Sequence, residues 1–537
     1  MTSQALPARS GSIAVALIVL AMLLPRAHAQ NQTEAATPPA GQPARGGRGG
    51  GGRGPTAEIV QSALTGITPA KGPYAATWES VSKHDAPEWY RDAKLGIGMH
   101  WGLYAVPAHA SEWYVRHMYG TEEVVKWHQE HFGPQDKFGY KDFIPLFTAA
   151  KFNADEWAQL FKDAGARYVM PTAEHHDGFA MWDSALTKYD AKDMGPHRDL
   201  IGELATAVRK AGMKFGVTNH RVEHFNFINP TPEVAALLKE KKADLYDPAS
   251  QDFYWVADRS PAAQTRFLND WVKRNYELID KYHLDTLWWD NGINSRGYDP
   301  LKLAVFAHFY NRAAAEGREV TMLTKGEASL GGHVQDYERW SRAPKEITEK
   351  PFEVHDSPSY RWGYLEDDAT LGRYWKPEDV VYELIETVCR NGNLLLNLGP
   401  RADGTIPEQE VAMLRTMGRW LRVNGEAIYA TRPWTKLGEG SLQLERGKTY
   451  TGADIRFTTK GDTLYAIFMA WPGEEAHIKS LATGAAPPGR IDSVTVLGDA
   501  EELEFSQDSS GLHVKFPPTK PGEIAYTLKI TGLKLHP

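Results

Sequence analysis

The stretch KYHLDTLWWDNG, Lys281 to Gly292, decides how this chain is read. Upstream of it, from Leu268 to Tyr282, apolar residues recur at the spacing of one helix face. Thr286, Leu287, Trp288 and Trp289 then make a short apolar run of the kind found in a strand covered on both faces. A single carboxylate, Asp290, follows at once, and Asn291-Gly292 turns the chain. A helix, a buried strand and then an acid at the strand's C-terminal end is how a β/α barrel carries catalytic groups to its mouth. The plainer alternative is that Asp290 only caps a helix or fills a turn.

Working outward, the same alternation recurs. Leu95 to Met99 reads as a first buried strand, with His100 and Trp101 at its end and Gly102 as a breaker; Glu112 and Trp113 follow on a loop. A helix over Asp155 to Ala166 leads to a strand over Arg167 to Ala173, which runs into Glu174-His175-His176-Asp177-Gly178. Ionisable side chains in a row at a strand end are costly unless they face a polar cavity. They suit sugar-hydroxyl recognition, and His175, His176 and Asp177 also suit zinc. Side chains alternate along a strand, however, so neighbouring histidines are expected on opposite faces and a shared ion is disfavoured.

Arg198-Asp199 opens a helix over Leu200 to Ala211, and the strand Met213 to Asn219 ends at His220, with Glu223 just beyond. After the central stretch come a helix (Leu301 to Ala315) and a strand (Glu319 to Thr324) ending at Lys325 and Glu327. The segment from His333 to Ser357 is acid-rich and reads as irregular, with Asp336, Glu338, Glu346 and Glu353 on it. A helix (Pro377 to Arg390), a strand (Asn393 to Leu398) and a last helix (Glu408 to Val423) complete the series, which points to a parallel sheet with crossover helices.

The ends differ in texture. Residues 1–29 carry Arg9, an apolar run from Ile13 to Leu24 and Ala27-His28-Ala29, the layout of a secretory signal. Residues 30–72 read as a Gly/Arg/Pro-rich linker containing GGRGGGGRG, with the barrel expected over 73–430. From 431 to 537, short alternating segments separated by Gly, Pro and Asp predict an all-β sandwich. A chain of 537 residues has room for both. Its net charge of -8 argues against nucleic acid as the main partner. No second run is long and apolar enough to span a membrane, and Cys389, the only cysteine, can form no intrachain disulfide. Export to a bacterial periplasm or beyond is the expected location.

The segments WYRDAKLGIGMHWGLYAVPAHASEWY, YVMPTAEHHDGFAMWDS, GPHRDLIGEL, LWWDNG, NGNLLLNLGPRADGTIPE and NGEAIYATRPW together closely resemble the α-L-fucosidases of glycoside hydrolase family 29, from about Trp78 to Trp434. The resemblance implies a (β/α)8-like barrel followed by a β-sandwich. It also implies exo-hydrolysis of terminal α-L-fucose from fucosylated glycans with retention, without metal or cofactor. Asp290 stands where the family's nucleophile stands; His100, Glu112, Trp113, His175 and His176 match its hydroxyl-binding residues, and Trp288 would line the same pocket. His220 resembles a substrate-binding position of one sub-branch. The C5 methyl of fucose needs an apolar wall, for which Trp101, Trp288 or Phe225 is suited. DYERW resembles a sub-branch motif that makes Glu338 the acid/base, with Glu327, Glu353, Asp336 and Glu346 as alternatives. Two further readings stand beside this one: a barrel that binds fucosylated glycans without cleaving them, and a metal-dependent hydrolase built on His175, His176 and Asp177.

Overall fold

A computed structural model describes residues 54–442, 447–485, 487 and 489–535. The signal segment and most of the Gly/Arg-rich tract lie outside the described residues.

Eight parallel strands close into a barrel: β1 (Leu95–Met99), β2 (Tyr168–Glu174), β3 (Lys214–Asn219), β4 (Thr286–Trp289), β5 (Thr321–Lys325), β6 (Val334–Glu338), β7 (Phe352–Asp356) and β8 (Gly392–Leu398). Each strand pairs with the next, and β8 returns to β1 in the register Leu95 to Leu394 and Met99 to Leu398. Helices pack outside the strands. The one before β4, Pro261–Tyr282, shows why: Ser260 Oγ accepts the Ala263 N–H, Pro261 occupies the first turn, and Phe267, Leu268, Trp271 and Leu278 form its buried face. His283, in the left-handed conformation at φ 49°, ends it and turns the chain into β4.

The two tryptophans of β4 then part by strand alternation. Trp289 faces outward against Trp271 and donates its Nε1–H to Asn275 (2.9 Å), while Trp288 faces the barrel interior beside Tyr168 and Leu395. Small residues make that interior possible. A Cβ on Gly96 would overlap the Tyr168 ring, and one on Gly98 would come within 3.0 Å of His355 Nε2.

Two findings correct the expected element order. The segment from His333 to Ser357 is not irregular: it supplies both β6 and β7. Their inward positions are polar (Asp336, Glu353 and His355), so the apolar run that marks a two-sided buried strand is missing. The folded body also begins before residue 73. Ala57–Ala63 is a helix, N-capped by Thr56, whose Val60 and Ala63 join the main core.

After the barrel, antiparallel strands form a five-stranded sheet and a three-stranded sheet among the described residues. Both give side chains to one core, in which Phe457, Leu528 and Ile530 of the larger sheet share a cluster with Ile478 and Val514 of the smaller. Buried polar bonds fix this domain to the barrel: Arg456 Nη2 lies 2.6 Å from Glu386 Oε1, and Trp420 Nε1 donates to the Ala525 carbonyl at 2.9 Å. Among the described residues, no helix is long and apolar enough to cross a membrane.

Candidate active site

The C-terminal ends of the strands bring one set of polar residues together at the barrel mouth. Asp290, just past β4, is 7% exposed and fully engaged. Its Oδ1 lies 2.5 Å from Lys325 Nζ and accepts the Asn291 N–H at 2.7 Å. Its Oδ2 lies 2.8 Å from His220 Nδ1 and 3.2 Å from His176 Nε2. Burial alone raises the Asp290 carboxyl, but the Lys325 ammonium and the His220 imidazole outweigh it and hold the group well below the usual carboxylate range. It is therefore an ionised, desolvated carboxylate at the barrel mouth.

The histidines around it differ in protonation. His220 is pushed down to about 4 by burial, with its Nδ1–H on Asp290 and its Nε2 accepting from Thr218 Oγ1 at 3.2 Å. His176 is buried too, yet its pKa is raised, because Asp290 and Glu223 (3.8 Å) favour the cation. Both its nitrogens can donate, Nδ1 to the His220 carbonyl at 3.1 Å and Nε2 to Asp290. His100 is held well below its ordinary value by burial and by His220. Asn397 fixes its tautomer: the Asn397 amide nitrogen donates to the Trp362 carbonyl (2.7 Å), so its Oδ1 accepts from His100 Nδ1 (2.7 Å). The His100 Nε2 lone pair is left for an incoming hydroxyl.

His175 and His176 do not separate as strand alternation suggested. β2 ends at Glu174, so both lie beyond the ladder, with ring centroids 4.5 Å apart and 4.7 Å and 5.4 Å from that of His220. Asp177 does separate from them. It accepts from Tyr140 Oη (2.8 Å) and the Phe179 N–H (3.2 Å), away from Asp290, so His175, His176 and Asp177 form no metal-ligand set. Two other trios, His100-His175-His220 and His176-His220-Asp290, do bring ligand atoms within 4.8 Å of one another. In both, histidine nitrogens are already engaged within the protein, His220 and His176 by Asp290 and His100 by Asn397.

Glu338, at the end of β6, shares the mouth. Its Oε2 is 3.3 Å from Lys325 Nζ and 3.4 Å from Arg342, and its side chain is partly open to solvent. One ammonium thus joins Asp290 to Glu338. The other acids lie elsewhere. Glu327 and Glu346 are exposed on turns. Asp336 and Glu353 pair in register deeper in the barrel, where Glu353 Oε2 accepts from Tyr90 (2.9 Å) and Tyr168 (2.7 Å). Burial favours the neutral form of both, raising Glu353 to about 7 and Asp336 well above its usual range.

Glu112 and Trp113 reach the mouth from the loop after β1, where Glu112 Oε2 accepts the Trp362 N–H at 3.3 Å and the Trp113 ring meets His176 edge-on. Trp288 lies beside His220, with Lys325 Nζ 4.9 Å from its ring centroid. Two expected apolar walls are not in the cavity. Trp101 is packed among Phe147, Phe152 and Trp157 with its Nε1–H on the Arg401 carbonyl, and Phe225 lies against Trp255 and Phe267. Sequence reading missed His355, Trp362 and Asn397, and it gave Lys325 no role. Their rings and amide surround His100, and only the strand periodicity of β7 and β8 could have pointed to His355 and Asn397.

Comparison with known proteins gives the chain's family. Residues 62–426 match the family described as Alpha-L-fucosidase, and residues 448–531 match the Alpha-L-fucosidase C-terminal domain. The chain is 33% identical over 471 residues to the tissue alpha-L-fucosidase of Rattus norvegicus, covering 85% of this chain and 92% of that protein. It is 32% identical over 474 residues to the Homo sapiens tissue enzyme, covering 86% and 92%. Among solved structures, the Thermotoga maritima alpha-fucosidase in complex with fucose superposes with a TM-score of 0.69 at 30% identity, over 85% of this chain and all of that one.

Proposed function

Because the chain belongs to the α-L-fucosidase family and is a glycoside hydrolase acting on fucose-containing substrates, we propose that it works with retention, through a covalent fucosyl ester on Asp290 with Glu338 as acid/base. The observation that carries this reading is the pairing of Asp290 and Glu338 through one lysine.

In the first step, Asp290 Oδ attacks the anomeric carbon while Glu338, protonated, gives its proton to the glycosidic oxygen, and the aglycone leaves as an alcohol. In the second, the Glu338 carboxylate takes a proton from water, whose oxygen attacks the same carbon and releases Asp290. Two inversions restore the starting configuration. His100, His175, His176, His220 and Glu112 hold the hydroxyls, Trp113 and Trp288 line the ring, and bonds that shorten as the sugar flattens favour the transition state over the substrate.

Proton NMR of an aryl α-L-fucoside digest tests the stereochemistry. Free α-L-fucose appearing before mutarotation supports the reading, and β-L-fucose as the first product contradicts it. We also propose export by the N-terminal 29 residues; sequencing the N-terminus of protein recovered outside the cytoplasm checks it.

A further inference from the structure

The rim of the mouth carries cationic charge that the hydrolysis of a neutral fucoside does not use. Trp113, 39% exposed, begins the helix Tyr114–Gly120, and Arg116 on that helix lies 5.9 Å from the Trp113 ring centroid and 5.4 Å from that of Phe227. Phe227 stacks on His176 at 4.4 Å, and His176 touches Asp290, so this part of the rim is joined to Asp290 through packed side chains. The segment after β7 is tied to the same loop by the Trp362 N–H bond to Glu112. Its Arg361 lies 4.6 Å from the ring centroid of Tyr360, which is 60% exposed. Hydroxyls of Ser357 and Ser359 donate to the Arg361 carbonyl at 2.7 Å and 2.8 Å, which fixes the backbone beneath the guanidinium.

Among the described residues, no carboxylate lies within ion-pair distance of Arg116 or Arg361, and the Arg361 Nε–H is buried without a partner. The neighbouring acids make their ion pairs with other groups: Asp368 pairs with Arg373 (3.4 Å) and Glu223 lies 3.8 Å from His176, while Glu366 and Asp367 are exposed. His117, between the two arginines, adds no charge at neutral pH, since burial and the arginines push it down to about 4.

A guanidinium laid on an exposed aromatic ring is how proteins hold a sugar ring and an oxyanion together, the ring taking the C–H face and the fork of N–H donors taking the charge. Resting on the fucosidase reading above, we propose that Arg116 and Arg361, with Trp113 and Tyr360, form an aglycone subsite for acidic glycans, in which the sugar that carries the fucose bears a sulfate or a carboxylate. The fucose enters the histidine cluster, and the next sugar meets this rim. The site contributes to substrate choice and to encounter rate and takes no part in bond cleavage.

The test uses α1,2- and α1,3-linked fucosyl disaccharides whose second sugar is neutral, 6-sulfated or oxidised at C6 to a uronate. The comparison is kcat/KM for the unaltered protein and for R116Q, R361Q and the double variant, with 4-nitrophenyl α-L-fucoside as the neutral control. For at least one linkage, an acidic form should be turned over about fivefold or more faster than the neutral form. That advantage should vanish in the double variant and in 0.5 M salt (roughly, a Debye length under 5 Å), with the aryl fucoside changed by less than about twofold. The sulfate and uronate arms distinguish which oxyanion is preferred. Equal or slower turnover of every acidic form overturns the inference, as does an advantage that survives both substitutions, or a parallel loss on acidic and neutral substrates. Failure of the unaltered protein to cleave the aryl fucoside would instead remove the fucosidase reading itself.

Discussion

Lys325 Nζ lies 2.5 Å from Asp290 Oδ1, and the same atom lies 3.3 Å from Glu338 Oε2. In the proposed cycle, negative charge sits on Asp290 before the first step and on Glu338 once the fucosyl ester has formed. A lysine in contact with both stays paired in each state and needs no large movement between them. Desolvation makes that pairing matter, because the ammonium is buried and its pKa is raised by Asp290 and Glu338 against the effect of burial.

Lys325→Met therefore has two expected effects. The loss of a buried cation beside the reacting groups lowers kcat by about 10²-fold or more. The Asp290 carboxyl, freed from the strongest influence that lowers its pKa, titrates higher, and the acid limb of the kcat/KM profile moves to higher pH. A slower enzyme with an unmoved acid limb contradicts the pairing.

Glu353 makes a prediction about stability. Burial raises its folded-state pKa to about 7, above the roughly 4.3 of an unfolded chain, despite hydrogen bonds from the Tyr90 and Tyr168 hydroxyls. A raised folded-state pKa gives stability that is complete below the unfolded value and is lost as pH rises through the folded one. The loss amounts to about 1.4 kcal/mol per pH unit for one such group. Glu353→Gln keeps the hydrogen-bonding shape and removes the titration, so its melting temperature should fall less between pH 5 and pH 8 than that of the unaltered protein. Parallel melting curves across that range would count against a neutral Glu353.

Trp101 separates packing from recognition. Its ring fills a cluster with Phe147, Phe152 and Trp157, so Trp101→Ala should cost about 3–5 kcal/mol of unfolding free energy. KM for an aryl fucoside, measured well below the lowered melting temperature, should change by less than about twofold, since rim-remote packing carries little uniform binding. A large rise in KM with unchanged stability would place the ring in the cavity after all.

Much of this site is legible in the sequence wherever chemistry and periodicity agree. The apolar run before Asp290 marks β4, and each of His100, His175 and His220 follows a recognisable strand. Legibility fails where the barrel interior is polar. β6 and β7 place Asp336, Glu353 and His355 inward, so their alternation resembles a solvated loop. It fails again just past a strand end: the strand reads as stopping at Ala173, and carrying its alternation on to His175 and His176 misplaces them, since both lie beyond the ladder's end at Glu174 and so meet. Trp101 shows the reverse error, in which an aromatic beside a functional histidine turns back into the core.

The most direct test of the central claim is to trap the enzyme with a 2-deoxy-2-fluoro-fucosyl fluoride, digest it and locate the label by tandem mass spectrometry. The account predicts a fucosyl ester on Asp290 in the peptide containing LWWDNG, absent from Asp290→Asn. A label on any other side chain, or inactivation with no covalent adduct, contradicts it.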